Sequence, residues 1–418
     1  MRKLVGFILC CAMILGFAPL SFAATQVDAL IEKLVEKGIL DKKEALKLKG
    51  EIAADEKLAR EEAFQVGLPD WVKSTKLKGD GRVRYQYERR ANDKEGRSRG
   101  RIRLRLGLEN QINPQWKLGA GLATAEVGST SDDARSTNMT FTDSFRRGDI
   151  RLDYAFVEYM PVSWGKAVFG KYAKSDYLWN TTDMLWDTDI NPAGFSGNVK
   201  HTVNDQLSIY GNSGLWIIDE NGKTDRPDPY LIYAQAGAKF KQSCFDANLA
   251  GIFYGFNGVK GTALDGTSST NTMTGSVLKN DYDSFGFSAE LGLKNPVGEL
   301  LPIPRAAVFG DYIQNVDSHV DERSGYAAGI KFGDEKVVGK GQWQWKYQYT
   351  RLGRDAFPDA FPDSDRLGGI TDVRGHEAIL EFGLSKNVVL GFDYYQDQRI
   401  KAAKNEQKIV QLDLSVKF

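Results

Sequence analysis

Apolar and polar positions alternate along most of the chain after Trp71. Residues 101–106 read Arg-Ile-Arg-Leu-Arg-Leu, and residues 342–349 keep the alternation for eight positions. Because successive side chains of a strand point to opposite faces, this pattern predicts strands with one apolar and one polar face. About sixteen such segments follow one another up to Phe418.

The connections between these segments alternate in length. Short turns are predicted at 113–115, 203–205, 241–243 and 386–387, and long polar loops at 128–149, 173–194, 219–229, 257–283 and 353–374. The connection at 295–303 is longer than a tight turn and that at 89–99 is modest, so the alternation has exceptions. Short turns at one end and long loops at the other are typical of an outer-membrane barrel, whereas a soluble sandwich has no reason to sort its loops.

The predicted fold class is therefore all-β, a transmembrane antiparallel β-barrel of about 16 strands over residues 71–418. Its apolar faces would contact lipid and its polar faces would line water. Aromatic residues near strand ends are expected to form the interfacial girdles. These are Tyr85, Tyr87, Trp116, Tyr154, Tyr159, Trp164, Tyr172, Tyr394 and Tyr395.

The first seventy residues follow other patterns. Residues 1–23 have a basic start, an apolar stretch and small residues before the predicted cleavage, which indicates a signal peptide. Residues 24–70 carry apolar positions at helical spacing, and Asp41 with Glu44 has the form of a capping box. We predict a short, coiled-coil-like helical segment in the periplasm. Its role stays open between an oligomerisation or cell-wall contact and an amphipathic spacer.

Composition narrows the classes of function. The 418 residues are 42% hydrophobic, and 55 Lys and Arg balance 55 Asp and Glu. A helical membrane protein would need several long apolar runs, and a nucleic-acid binder would need an excess of basic residues. Only Cys244 remains after the signal peptide, which argues against a disulfide or a cysteine metal cluster.

Candidate catalytic and metal sites are weak in this sequence. The three histidines are widely spaced, and Asp317, Ser318 and His319 form the only local cluster that resembles catalytic chemistry. We predict no enzyme, no cofactor and no metal site. Four loop aspartates are candidates for divalent or lipopolysaccharide-bridging cations, although solvated loop charge is the favoured interpretation. These are Asp132, Asp133, Asp363 and Asp365.

The order of parts resembles the putative porin family of Gram-negative outer membranes and, more distantly, the phosphate-selective porins. The most specific similarity lies in residues 185–195, a Trp-Asp…Asn-Pro stretch in the long loop after the fifth strand, and residues 30–40 resemble the family's N-terminal helix. The resemblance implies a passive diffusion channel, often trimeric. It does not settle which solute is carried.

Five arginines on the first two strands are candidates for the pore lining. If the apolar partners face lipid, Arg82, Arg84, Arg101, Arg103 and Arg105 point into the lumen as one permanent positive wall. Four aspartates of the loop after the fifth strand are candidates for a constriction facing this wall. They are Asp176, Asp183, Asp187 and Asp189. The alternative is that the arginines pair with lumenal acids such as Glu88, Glu109 and Asp153.

The predicted function is an outer-membrane porin for small hydrophilic solutes or ions, constricted between the arginine wall and the acidic loop. The alternative is a structural or adhesive barrel that anchors the helical segment. The expected partners are outer-membrane lipid, lipopolysaccharide, further copies in a homotrimer, and the barrel assembly machinery, which would read Phe418 as a terminal aromatic signal. No nucleic acid is expected.

Overall fold

The computed structural model describes residues 33, 35–37, 41, 43–45, 47, 69–91, 93–126, 133–142, 144–222, 228–298, 302–316, 322–401 and 405–418. The chain divides into two units, residues 1–73 and 74–418.

In the first unit, the described positions carry short helical geometry. Asp41 and Glu44 exchange the two hydrogen bonds of a capping box, at 3.1 and 2.7 Å, and helix α1 spans Asp70–Lys73. The predicted signal peptide and most of the predicted helical segment lie outside the described residues, so both stay predictions. None of the helices in the described part of the chain is long and apolar enough to cross a membrane.

The second unit is a closed antiparallel sheet of sixteen long strands. They are β1 (Thr75–Arg90), β2 (Arg97–Asn113), β3 (Trp116–Ala125), β4 (Asp149–Val162), β5 (Gly165–Lys171), β6 (Ala193–Thr202), β7 (Leu207–Ile217), β8 (Tyr230–Lys241), β9 (Phe245–Asn257), β10 (Ser284–Lys294), β11 (Arg305–Asn315), β12 (Ser324–Gly333), β13 (Trp343–Leu352), β14 (Val373–Ser385), β15 (Val388–Arg399) and β16 (Gln407–Lys417). Each strand pairs with the next, and β16 pairs with β1 from Asp80–Lys417 to Arg90–Gln407. The closure satisfies the backbone groups that an open edge would leave unpaired.

The five longest connections share one end of the barrel, as the sequence predicts. One end carries 114–115, 163–164, 203–206, 242–244, 295–304, 334–342 and 386–387. The other end carries L1 (91–96), L2 (126–148), L3 (172–192), L4 (218–229), L5 (258–283), L6 (316–323), L7 (353–372) and L8 (400–406). Three two-residue strands lie within these loops, Met139–Thr140 in L2 and the hairpin Met273–Thr274 with Val277–Leu278 in L5. The connections 295–304 and 334–342 at the short-turn end are nevertheless longer than L1, L6 and L8.

The outer face of the barrel is apolar and the inner face is polar. On β2, Leu104, Leu106 and Leu108 are 38–53% exposed, while Arg101, which belongs to the opposite face of the same strand, is 8% exposed. An exposed apolar band of this kind is the surface that a barrel presents to lipid. The strand pattern therefore placed the two faces correctly.

Three residues of the predicted aromatic girdles face inward instead. Tyr172 and Tyr395 are 1% and 4% exposed. Tyr154 lies over Gly121 of β3, where a Cβ atom would stand 2.3 Å from the ring. A glycine on the neighbouring strand leaves room for a large ring inside the wall, and the alternation alone does not show this.

The long-loop half of the lumen holds an apolar core. L3, L5 and L7 supply Trp186, Leu264, Tyr282 and Phe357, all buried, and these pack with inward residues of the wall. The Trp186 ring stacks on Phe361 at 4.9 Å and meets Phe357 edge-on at 5.3 Å. Sequence reasoning treated these loops as polar, because their aromatic residues lie at irregular spacing among aspartates and threonines.

Candidate pore site

The five predicted arginines lie together on the inner wall. The register pairs Arg82 with Arg103 and Arg84 with Arg101, and Arg105 stands opposite Asp80. Because paired strands lie about 4.8 Å apart, their guanidinium groups form one cluster, which we call the arginine wall. Alternation on β1 and β2 is sufficient to place them there.

Most of this wall is neutralised by four aspartates, Asp80, Asp365, Asp413 and, from L3, Asp189. Arg84 forms a bidentate pair with Asp413 at 2.7 Å and contacts Asp365 at 3.3 Å. Asp80 binds Arg103 at 2.8 Å and Arg105 at 2.7 Å.

The other two members of the wall are less well paired. Arg82 lies 3.6 Å from Asp413 and donates to Asn138. Arg101 donates to Gln86 at 3.2 Å and lies in no ion pair with the residues that the structure describes.

L3 crosses the lumen and is tied to several parts of the wall. Asp311 of β11 accepts hydrogen bonds from the backbone of Thr181 and Thr182 at 2.7–3.2 Å. Gln235 of β8 accepts from Trp179 N and donates to Trp179 O. These strands lie far from the arginine wall around the barrel, so the loop spans the interior.

Asp189 of L3 contacts the arginine wall directly. It lies 3.3 Å from Arg105 and 3.7 Å from Arg103 and accepts two hydrogen bonds from Thr137 at 3.0 Å. Burial alone would raise the pKa of Asp189, but the two guanidinium groups outweigh it and hold the pKa below its ordinary value. Asp189 is therefore a charged member of the wall rather than a group facing it across a gap.

Asp187 lies two residues away in a different environment. It is 5% exposed and accepts hydrogen bonds from Asp189 N at 2.9 Å and from Ser364 N of L7 at 2.8 Å. Burial and the neighbouring Asp189 carboxylate raise the pKa of Asp187 to about 7. Burial also lowers the pKa of Lys174, which donates to the carbonyl oxygen of Asp187, to about 8.

L7 is anchored to the wall by Arg366. This side chain is 3% exposed and binds Asp397 at 2.8 Å and Glu377 at 2.5 Å, with Asp363 at 3.6 Å. A second set of contacts joins L7 to L5, because Asp359 accepts from Thr270 N at 2.6 Å and Asp355 from Thr272 N at 2.8 Å. L3, L5 and L7 therefore form one interlocked layer inside the long-loop half.

A cavity of about 680 Å³ lies between this layer and the short-turn end. One side is formed by Arg82, Arg84 and Arg103 of the arginine wall, whereas Arg101 and Arg105 lie outside the lining. The other side carries a set of carboxylates on β14, β15, L3 and L7, which we call the acidic patch: Asp183, Asp363, Glu377, Glu381 and Asp393. Lys346 of β13 lines the same cavity.

The structure brings three of the four predicted loop aspartates to this cavity. Asp183, Asp187 and Asp189 line it. Asp176 is exposed in a short 3₁₀ helix, Lys174–Asp176, away from the cavity lining.

The acids named as alternative partners of the arginine wall bind elsewhere. Glu88 pairs with Arg90 and Arg99, Glu109 with Lys78, and Asp153 accepts from Asn191. The three acids named as alternative partners of the arginine wall were therefore the wrong ones. Alternation within a strand does not predict which carboxylate of a distant strand or loop lies next to an arginine. The acids that do pair lie on β1, on β16 and in two loops.

The loop aspartates assigned to solvated charge also behave differently. Asp363 is 5% exposed and Asp365 contacts Arg84, so both belong to the cavity. Asp133 pairs with Arg135 at 2.9 Å. Asp132 and the Asp317–His319 cluster lie outside the described residues.

The remaining chemistry is sparse. Cys244 is a free, exposed thiol. Among the residues that the structure describes, no group of three or more histidine, cysteine, aspartate and glutamate side chains is arranged to hold a metal ion.

The chain is similar to a known protein family and to solved structures of outer-membrane proteins. A family model described as putative porin matches residues 87–291 and 305–418. The high-pH structure of Pseudomonas putida OprB superposes with a TM-score of 0.55 at 10% identity, covering 83% of this chain and 95% of that one. The outer membrane channel DcaP of Acinetobacter baumannii gives 0.45 at 14% identity, over 82% and 97%. No curated protein matches the chain.

A closed antiparallel barrel with an apolar outer band, a polar interior and loops sorted by length defines the class of outer-membrane β-barrels. The chain belongs to the putative porin family, because the family model spans well over half of its length. Family and fold point to a channel in the outer membrane rather than to an enzyme. The predicted family and the predicted barrel of sixteen strands are confirmed.

Proposed function

We propose that this protein is a passive diffusion channel for small hydrophilic solutes or ions, narrowed between the arginine wall, L3 and L7. The observation that carries the proposal is the cavity of about 680 Å³ inside the barrel, lined by charged side chains on both sides. A barrel of sixteen strands has the diameter for an aqueous channel. Water, rather than lipid or packed apolar residues, suits a cavity with this lining.

The narrow part of the proposed channel has separated charges. The arginine wall, largely neutralised by its own aspartates, forms one side, and the more negative acidic patch on β14, β15 and the loops forms the other. Such an arrangement produces a field across the pore, which orients dipolar solutes and water as they pass. Replacement of Arg101, Arg103 and Arg105 by alanine should therefore change the ratio of anion to cation permeability. An unchanged ratio would contradict the field.

Conductance in a planar bilayer tests the channel itself. The purified full-length chain should give stepwise openings in symmetric KCl. The control is a barrel protein that gives no openings under these conditions, reconstituted at the same protein-to-lipid ratio. Absence of openings across repeated reconstitutions would contradict the proposed function.

The second candidate function is a structural or adhesive barrel that anchors the N-terminal segment. The observation that favours it is the apolar core of L3, L5 and L7, which fills the long-loop half of the lumen. On this view the loops are a permanent plug, and the barrel would carry no current. The same recording therefore separates the two functions.

The proposed partners follow from the location of the barrel. The long loops would face the cell exterior and lipopolysaccharide, and the short turns and both chain ends the periplasm. Recognition of Phe418 by the assembly machinery is consistent with its position, since its side chain is 54% exposed and its backbone exchanges hydrogen bonds with Gly79.

We further propose that copies of the chain associate as a homotrimer through the outer face of β6–β9. Small residues flatten this face around a groove, including Gly211, Ala236, Ala238 and Gly251. Close approach of two backbones requires such residues. Gly211→Trp should lower the mass of the detergent-purified particle, measured by light scattering, relative to Ala155→Trp on the outer face of β4. Equal masses would contradict this contact.

A further inference from the structure

The two charged sides of the cavity are compensated to different degrees. The arginine wall has five guanidinium groups, and four carboxylates bind it, those of Asp80, Asp189, Asp365 and Asp413. Ion pairs at 2.7–3.7 Å leave little charge on this wall for a passing solute to meet. Only Arg101 lacks a carboxylate among the residues described, and its side chain is 8% exposed.

The acidic patch is not compensated in the same way. Glu377 is bound by Arg366 at 2.5 Å, but Arg366 is shared with Asp397 and Asp363. In the part of the chain that the structure describes, Asp183, Glu381 and Asp393 form no ion pair, and neither does Lys346. The five carboxylates of the patch outnumber the four cations near them, which are Arg366, Lys336, Lys346 and Lys417.

Unpartnered oxygen atoms face the same cavity. Asp363 is 5% exposed and lines the cavity; its Oδ2 atom lies 3.6 Å from Arg366 but has no hydrogen-bond partner within the described residues, and burial with the neighbouring carboxylates raises the pKa of this group well above its ordinary value. The Oδ1 atoms of Asp183 and Asp393 are buried and equally without a hydrogen-bond partner there. A buried carboxylate oxygen without a donor is unfavourable, so each of these atoms favours a cation or water beside it.

The register shows how the charge changes around the wall. One row of paired residues runs through Glu381 of β14, Gly391 of β15, Asp413 of β16, Arg84 of β1 and Arg101 of β2. Asp413 lies beside Arg84 and neutralises it, while Glu381 at the far end forms no ion pair within the described residues, although Lys346 and Lys417 lie in its surroundings. The charge therefore changes around the circumference of the wall, from the unpaired carboxylate of Glu381 to the paired guanidinium group of Arg84.

We propose that the channel selects small cations, with the acidic patch as the selective element, in spite of its arginine-rich wall. The inference rests on the proposed channel function. Rings of carboxylates select cations in pores, and exposed basic groups select anions. The side of the cavity whose charge is not compensated therefore decides whether the channel prefers cations or anions. Lys346 shows that the patch accommodates an ammonium group, since its side chain carries one there. The substrate class is therefore alkali-metal ions and small solutes that carry an ammonium group.

The test is the reversal potential of the full-length protein in a planar bilayer across a KCl gradient. The sign should correspond to a preference for potassium over chloride. The double variant Glu381→Gln with Asp393→Asn should lower the permeability ratio of potassium to chloride about two- to fivefold, as expected for two charges acting across a few ångströms of partly hydrated space. Lys346→Gln should shift the ratio in the opposite direction.

Matched charge removal away from the cavity provides the control. Asp93→Asn with Glu95→Gln removes two exposed acids of L1 and should leave the ratio unchanged. Chloride preference in the unaltered protein would overturn the proposal, and so would potassium preference that the patch variants do not alter. Absence of any conductance would instead contradict the channel function. If the double variant does not fold, Lys346→Gln is the test: a higher permeability ratio of potassium to chloride supports the proposal, and an unchanged or lower ratio contradicts it.

Discussion

Buried arginines hold the interior loops of this barrel in place. Arg366 reaches from L7 to Glu377 of β14 and Asp397 of β15, whose side chains are 1% and 0% exposed. A buried ion pair stabilises little relative to apolar packing, but the loss of one partner leaves charges buried without compensation. Single residues of this kind therefore matter for stability out of proportion to their number.

Arg366→Met should destabilise the barrel by about 3–5 kcal/mol, because two buried carboxylates lose their cation. Thermal unfolding of the detergent-solubilised protein, followed by circular dichroism or by the shift of the folded band on a gel, measures the effect. The matched control is Arg151→Met, since Arg151 is 43% exposed and pairs with an equally exposed Asp149. Equal melting temperatures for the two variants would contradict the anchoring role.

The carboxyl group of Asp187 predicts a pH dependence. Its pKa is raised to about 7 from an ordinary value of 3.8, so folding takes up a proton between these values. The contribution of Asp187 to stability therefore falls as the pH rises from about 4 to 7 and is constant above that. Asp187→Asn should reduce the loss of melting temperature between pH 5 and pH 8.

The comparison needs a carboxyl group that makes no buried contact. Asp205 lies exposed in the turn 203–206, and Asp205→Asn should retain the pH dependence of the unaltered protein. A steeper decline in Asp187→Asn than in the unaltered protein would contradict the assignment.

At the scale of the element, L3 is a loop that crosses the lumen and is fixed at two points. Its tip is held by Asp311 of β11, which accepts from Thr181 N, Thr182 N and the Thr182 hydroxyl at 2.6–3.2 Å. On its other side Trp186 packs in the apolar core with Trp216 and Phe357. The loop is thus fixed by polar contacts at one point and by apolar burial at another.

Asp311→Ala should release the tip of L3 and increase the single-channel conductance and its fluctuations. Buried donors left without an acceptor cost about 1–3 kcal/mol each, which favours a displaced tip. Asp311→Asn retains an oxygen acceptor and should restore part of the unaltered behaviour. Asp265→Ala removes an exposed carboxyl group of L5 and should change neither quantity. A conductance that stays the same in Asp311→Ala would show that the tip is held by its apolar contacts.

Sequence reasoning reached the strands of this barrel but not the packing of its loops. Alternation identifies a strand from neighbouring residues, and a long loop after the fifth strand is visible from the spacing. The partners of L3 are remote: Asp311 lies 129 positions after Thr182, and Asp187 meets Ser364 across 177 positions. Such contacts depend on where the closure of the barrel places each strand. No local sequence pattern therefore predicts them.

For the whole molecule, the division into two units separates the barrel from what precedes it. The unit of residues 74–418 contains every long strand, and its closure by β16 and β1 lies within it. Stability of a closed barrel comes from its own ladders and interior contacts, which are all contained in this unit.

A variant that joins the signal peptide directly to Pro69, and so lacks residues 24–68, should still assemble a heat-resistant barrel with unaltered conductance. The measurements are the folded band on a gel and the bilayer recording, with the full chain as reference. Loss of the folded band would show that the first unit is needed for assembly. Loss of sedimentation with the cell-wall fraction, with conductance retained, would assign the segment an anchoring role.

The residues alone determined the period of two, the number of strands, the sorting of loops by end and the inward direction of the five arginines. All of these follow from local alternation and spacing, which the backbone geometry of a strand converts directly into faces. Tertiary structure alone decided which charges remain free. Arg84 meets Asp413 across 329 positions only because β16 closes on β1. Equal numbers of basic and acidic residues, 55 of each, are compatible with either a positive or a negative pore wall. The strand register decides which charges are paired and therefore which sign remains.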